Sequence, residues 1–209
     1  MKMTKEGILI LGMLLERPKS PYEMVSIAQS IDPRYWFAVA DQTFYGDIRK
    51  FSKIGYLTGT PSRTGNRPEK TIFQLSESGR AVVQKAILDY LDSDDTNPEM
   101  FKLAILYLPY LDRSMAKVSL EHRLKLMSDE RQRYLDRQNI EDGAYKPGSI
   151  SMVEEFYLRI IDVEIRMTEQ LLDRLQGTTG LEPYLLSFLE GRTLMPVIDV
   201  KNKIRIPRT

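Results

Sequence analysis

The sequence predicts a mainly α-helical protein with an N-terminal winged helix-turn-helix and a C-terminal helical region. Three observations predict it. Residues 1–91 read as helix, helix, helix, strand, basic loop, strand, helix. Two long segments, 113–140 and 149–176, carry apolar residues near helical spacing. Charge divides between the parts: residues 1–90 hold 13 Lys+Arg against 9 Asp+Glu, net +4, and the remainder holds 17 against 20, net −3. A basic first part tied to an acidic second part suits a nucleic-acid module joined to something else.

The first helix is expected over Lys5–Leu15. Ile8, Leu9, Leu11, Met13, Leu14 and Leu15 cover more than one face, which predicts burial. Pro18 stops it. No small-residue cleavage site follows this short apolar run, so it reads as a core helix rather than a signal peptide. Ser20-Pro21 then supplies an N-cap and a proline at the first helical position, and Glu23 completes a capping box. The second helix runs to about Ser30, with Tyr22, Met24, Val25 and Ala28 as inward positions. Asp32-Pro33-Arg34 breaks the chain before the aromatic run Tyr35-Trp36-Phe37, which suits core packing next to the third helix. That helix is expected from Asp41 or Gln42 to Ile54, with Phe44, Ile48, Phe51 and Ile54 inward and Gly55 ending it.

Extended segments are expected at Tyr56–Thr60 and Lys70–Leu75, joined by the basic, turn-rich stretch Pro61–Pro68. Ser76 caps a fourth helix to about Leu91, with Gly79 standing where a capping box would place Glu. The polar stretch Asp92–Pro98 is the predicted domain boundary, giving a DNA-binding domain over 1–91, a helical dimerisation region over 98–176 and an arm over 177–209. Within the second part, a short helix Glu99–Leu108 precedes two long ones. Asp112 caps the first, Arg113–Ile140, which carries Leu120, Leu124, Met127, Tyr134 and Leu135. The second, Ser149–Gln176, carries Val153, Phe156, Ile160, Ile161, Val163, Met167, Leu171, Leu172 and Leu175. Val153, Phe156, Ile160, Met167 and Leu171 are the candidate dimer seam.

A helix of about a dozen residues fits a major groove about 12 Å wide if one face anchors it and the other is polar. The third helix qualifies, with Gln42, Thr43, Tyr45, Asp47, Arg49 and Lys50 outward. Gln42, Thr43, Tyr45, Arg49 and Lys50 are therefore candidate DNA contacts, the first three at the end that usually meets base edges. Arg63, Asn66, Arg67 and Lys70 from the wing are candidate backbone contacts, and Tyr22 is a further candidate.

Several stretches resemble the PadR-like transcriptional regulators. Ile8–Leu14 looks like that family's opening helix, and Ser20-Pro21-Tyr22-Glu23-Met24 resembles its Gly-Tyr-Glu-Leu motif. Thr43-Phe44-Tyr45 with Ile48 and Phe51 resembles its recognition helix, and Gly55-Tyr56-Leu57 its turn into the wing. Phe73–Arg80 resembles the strand-to-helix junction beyond the wing. The resemblance covers residues 5–90 by motif and 98–176 by helix pattern, and the long C-terminal part is similar to the virulence-activator branch. Pro21 and Phe44 depart from the family's common glycine and small aliphatic residue. The resemblance implies a two-fold dimer on double-stranded DNA, usually a repressor, released by a small aromatic effector.

Other classes are poorly supplied. There is no cysteine, hence no disulfide or thiolate metal site, and one histidine, His122, which reads as a surface residue. Gly59 and Gly65 are wrongly spaced for a phosphate loop, and adjacent Glu154 and Glu155 point in different helical directions. Neither an enzyme, a cofactor nor a membrane-spanning segment is expected, and the composition fits a cytoplasmic protein. The alternative is a winged helix that binds protein; an acidic third helix and an uncharged wing would favour it, and Gln42, Arg49, Lys50, Arg63 and Arg67 oppose it.

Overall fold

The computed structural model describes residues 3–30, 40–63, 68–140 and 147–177. Among these it contains seven α-helices, one 3-10 turn and a two-stranded antiparallel sheet. The predicted Tyr35-Trp36-Phe37 packing, Asn66, Arg67 and the arm beyond Gly177 lie outside the described residues.

The described residues form two compact units, one through Ala86 and the other from Ile87. The division falls inside a helix, between Ala86 and Ile87.

The first unit holds α1 (Lys5–Glu16), α2 (Pro21–Ser30), α3 (Asp41–Lys53), β1 (Leu57–Ser62), β2 (Lys70–Leu75) and the start of α4 (Glu77–Leu91). Helix α1 starts where the Thr4 hydroxyl accepts from the Gly7 N–H at 3.1 Å. Its residues Gly7 through Leu15 are all buried, as their density predicts. The capping box of α2 is formed: the Glu23 carboxylate accepts from the Ser20 N–H at 2.7 Å and from its hydroxyl at 2.6 Å. In α2, Met24, Val25 and Ile27 supply the core. Tyr22, expected inward, is instead 76% exposed, because the buried face is set by Met24 and Ile27, two and five residues on, which point to the opposite side of the helix.

Strand β1 pairs with β2 in register from Leu57 opposite Leu75 to Ser62 opposite Lys70. The far side of β2 is also engaged. Lys19, in the connection from α1 to α2, exchanges backbone hydrogen bonds with Phe73 at 2.9 and 3.0 Å, fixing the wing against the helices.

The second unit holds the end of α4, then α5 (Pro98–Tyr107), the 3-10 turn Leu108–Tyr110, α6 (Arg113–Ile140) and α7 (Gly148–Gln176). Asn97 caps α5 through the Glu99 and Met100 N–H groups. Asp112 caps α6 through the Met115 N–H at 2.9 Å, as the sequence predicts. Helices α6 and α7 pack on one another, and the Arg113 guanidinium donates to the Leu175 carbonyl near the end of α7 and to that of Gly177, its C-cap. No helix among the described residues is long and apolar enough to cross a membrane.

Candidate nucleic-acid interface

Helix α3 is anchored by Phe44, Ile48 and Phe51, spaced i, i+4, i+7 and all buried. Ile54, expected on this face, is 46% exposed. It is the C-cap residue, where the chain leaves the helix and the period no longer sets the side chain's direction. Gly55 follows at φ 81°, the left-handed conformation that glycine adopts without steric cost. The Tyr56 and Gly55 N–H groups return to the Phe51 and Ser52 carbonyls at 2.8 and 3.2 Å. This is the Schellman closure the sequence suggests, and it aims the chain into the wing.

Of the candidate DNA contacts on α3, Gln42, Tyr45, Arg49 and Lys50 are exposed and Thr43 is half-buried. They surround Gly46, which sequence reading passed over. Gln42 and Thr43 stand four and three residues before it, Arg49 and Lys50 three and four after, so the polar face has a bare centre. A glycine mid-helix costs about 0.5–1 kcal/mol relative to alanine. Among the described residues, no atom lies within 4 Å of where its Cβ would be.

Asp47, also on α3, is half-buried; burial pushes its carboxyl above the ordinary range, Lys50 draws it down and Glu6 adds to the rise. Glu6, Thr43, Asp47, Lys50, Phe51 and Tyr56 line part of a recess of about 460 Å³. The Phe51 and Tyr56 rings stack there with centroids 6.3 Å apart.

At the wing, Arg63 and Lys70 are exposed. Lys70 lies 4.0 Å from one carboxylate oxygen of Glu23, and Arg17 lies 3.7 Å from the other. Burial alone pushes the Glu23 carboxyl up; the Ser20 hydrogen bonds and the charges of Lys70 and Arg17 outweigh it and hold the group below the ordinary range. Glu23 is thus both a helix cap and a counter-charge to the wing.

The base of the wing locks onto α4. The Ser76 N–H donates to the Tyr56 carbonyl at 3.0 Å, the Ser76 hydroxyl donates to the Gly55 carbonyl at 2.7 Å, and the Gly79 N–H donates to the Ser76 hydroxyl oxygen at 3.0 Å. Gly79 is buried hard against Tyr56.

In the second unit the candidate seam residues divide. Val153 and Phe156 are each 66% exposed, in company with exposed Met152 and Val163. Ile160 and Met167 are half-buried. Leu171, at 3% exposure, is almost wholly enclosed within its own chain. His122 is on the surface as expected, with Nδ1 2.8 Å from an Asp92 carboxylate oxygen. Arg123, which sequence reading did not single out, has no exposed surface. It donates to the Asp95 carbonyl at 2.8 Å and to Glu164 at 2.9 Å, and its guanidinium lies over the rings of Tyr90 and Phe101 at 4.9 and 5.1 Å.

Three helices, the third with a buried apolar face and a cationic polar face, and a two-stranded wing define a winged helix-turn-helix protein. The chain is PadR-like in sequence: over 124 residues it is 25% identical to the negative transcriptional regulator PadR of Bacillus subtilis (strain 168), a span of 57% of this chain and 68% of that one. No family model matches. The crystal structure of Bacillus subtilis PadR in complex with operator DNA covers 81% of this chain and 95% of its own at 18% identity and a TM-score of 0.38. The same protein in complex with p-coumaric acid covers 85% of this chain and 99% of its own at 16% identity and a TM-score of 0.34.

Proposed function

We propose that this protein is a sequence-specific DNA-binding transcriptional regulator, a repressor that acts as a homodimer on a two-fold DNA site. The observation that carries the reading is α3 itself: its inner face is locked by Phe44, Ile48 and Phe51 while Gln42, Tyr45, Arg49 and Lys50 stand free of the core. A dimer would set two such helices roughly 34–36 Å apart, one turn of DNA. The 25% identical relative, named as a negative transcriptional regulator, supports the same reading.

The test is fluorescence anisotropy with the duplex upstream of the protein's own coding region against a scrambled duplex, at two salt concentrations. Tight, salt-sensitive binding that prefers the upstream duplex is expected. Gln42→Ala is expected to lower that preference by about 1–3 kcal/mol, the value of one bidentate base contact. Lys70→Ala should weaken both duplexes alike and lower the salt slope by about 0.9. No binding at low salt would turn the reading to a winged helix that recognises protein.

Dimerisation is assigned to the exposed apolar residues of α7: Val153 and Phe156, extended by Ile160 and Met167. Phe156→Asp is expected to convert a dimer to a monomer in sedimentation velocity while leaving the melting of the protomer unchanged, since the ring is 66% exposed in the single chain. A dimer that survives this change would place the seam elsewhere. For a small aromatic effector, the recess beside α3 offers stacked rings and two carboxylates, Glu6 and Asp47, against one ammonium, Lys50. It suits a neutral or cationic aromatic better than an aromatic acid. Repeating the anisotropy titration with tyramine and with p-coumaric acid separates these.

A further inference from the structure

We infer that Gly46 is the point at which α3 comes closest to DNA, and that its missing side chain, rather than any contact it makes, lets the flanking residues reach base edges. The inference rests on the DNA-binding reading of α3 and adds to it a specificity-determining position that makes no hydrogen bond through a side chain.

Three observations converge on it. Gly46 is the sixth of the 13 residues of α3, far from either cap, where glycine serves helix formation worse than any residue except proline. Nothing among the described residues asks for glycine there. Its backbone is helical and not left-handed, and a Cβ would meet no atom within 4 Å, whereas a Cβ on Gly59 or Gly79 would meet atoms at 2.8 or 2.1 Å. Finally, its place is the middle of the polar face. Gln42 and Lys50 lie one helical turn to either side, with Thr43 and Arg49 three residues away. Long polar side chains thus ring a bare patch of helix backbone. Such a patch lets a helix sink toward a groove floor, and glycine recurs wherever backbone must approach a ligand closely. A side chain at 46 would strike the bases first and hold Gln42 and Arg49 away from theirs.

The test is one substitution read in two ways. Gly46→Ala is expected to raise the thermal midpoint by a few degrees, because alanine is the better helix former and the site is open. The same variant is expected to bind the upstream duplex about tenfold more weakly, the order of one spoiled base-pair contact, with a smaller loss on the scrambled duplex. Gly46→Gln, bulkier but polar, should lose more. A variant that is more stable yet binds less well separates close approach from a structural role, since a structural glycine would lose both together. If wild type binds and prefers the upstream duplex, and Gly46→Ala binds it equally well, the inference is wrong while the DNA-binding reading stands. If wild type binds no DNA at low salt, the DNA-binding reading fails and the inference falls with it.

Discussion

Arg123→Ala is expected to destabilise the helical unit by about 3–5 kcal/mol, the cost of removing one partner of a buried ion pair. The side chain has no exposed surface, and Glu164 opposite it is only 4% exposed. Removing the guanidinium leaves a buried carboxylate facing no cation. It also releases the end of α4, because Arg123 donates to the carbonyls of Tyr90, Ser93 and Asp95, where the chain turns from α4 toward α5. Those carbonyls would lose their donor at a site where Arg123 has no exposed surface. Urea denaturation followed by circular dichroism should show the loss as a lower midpoint. A shift below about 1 kcal/mol would mean that the site fills with water and the clamp is dispensable.

The pair is costly even when intact. Burial pushes the Glu164 carboxyl above its ordinary range, and this outweighs the pull of Arg123 in the other direction. Replacing both partners, Arg123→Met with Glu164→Met, should therefore recover much of the loss suffered by Arg123→Ala. What the double variant cannot restore is the set of donors at the end of α4.

Where core and surface alternate with a clean period, the sequence is transparent. Phe44, Ile48 and Phe51 in α3, the capping box at Ser20 and Glu23, and the glycine closure at Gly55 are all readable, because each is decided by residues within a few positions. The start of α6 follows from Asp112 for the same reason. Arg123 escapes because charge reads as surface. The signal is nevertheless present: Ala116, Leu120, Arg123 and Met127 share one stripe of α6, and Ile161, Glu164, Thr168 and Leu171 share one of α7, all of them buried. An arginine and a glutamate each in register with a core stripe are a paired core position, a relation between two helices that neither helix discloses alone. Leu171 carries the opposite lesson. Its place in an apolar stripe is equally consistent with its own chain's core and with a partner's, and periodicity cannot choose between them.

Gly79→Ala is expected to destabilise the winged-helix unit by up to about 3 kcal/mol, as overpacking of a closed site does. On helix propensity alone the sign would be the reverse, since alanine gains about 1 kcal/mol over glycine within a helix. Geometry decides against propensity. A Cβ at position 79 would stand 2.1 Å from the Tyr56 carbonyl oxygen and 2.9 Å from its carbon, and these are backbone atoms that cannot rotate away. Relief requires α4 to back off the base of the wing. That movement stretches the Ser76 N–H bond to the Tyr56 carbonyl and the Ser76 hydroxyl bond to the Gly55 carbonyl, the two links that seat the wing. Thermal denaturation should therefore show opposite results for one chemical change made in two helices of the same unit: Gly46→Ala raises the midpoint and Gly79→Ala lowers it. Both variants should bind DNA less well, the first because a methyl group stands between helix and groove, the second because the wing has lost its seat. Should Gly79→Ala melt like wild type, the close contact with Tyr56 would be one the chain can relax at no cost, and the wing would be held by β2 and Lys19 alone.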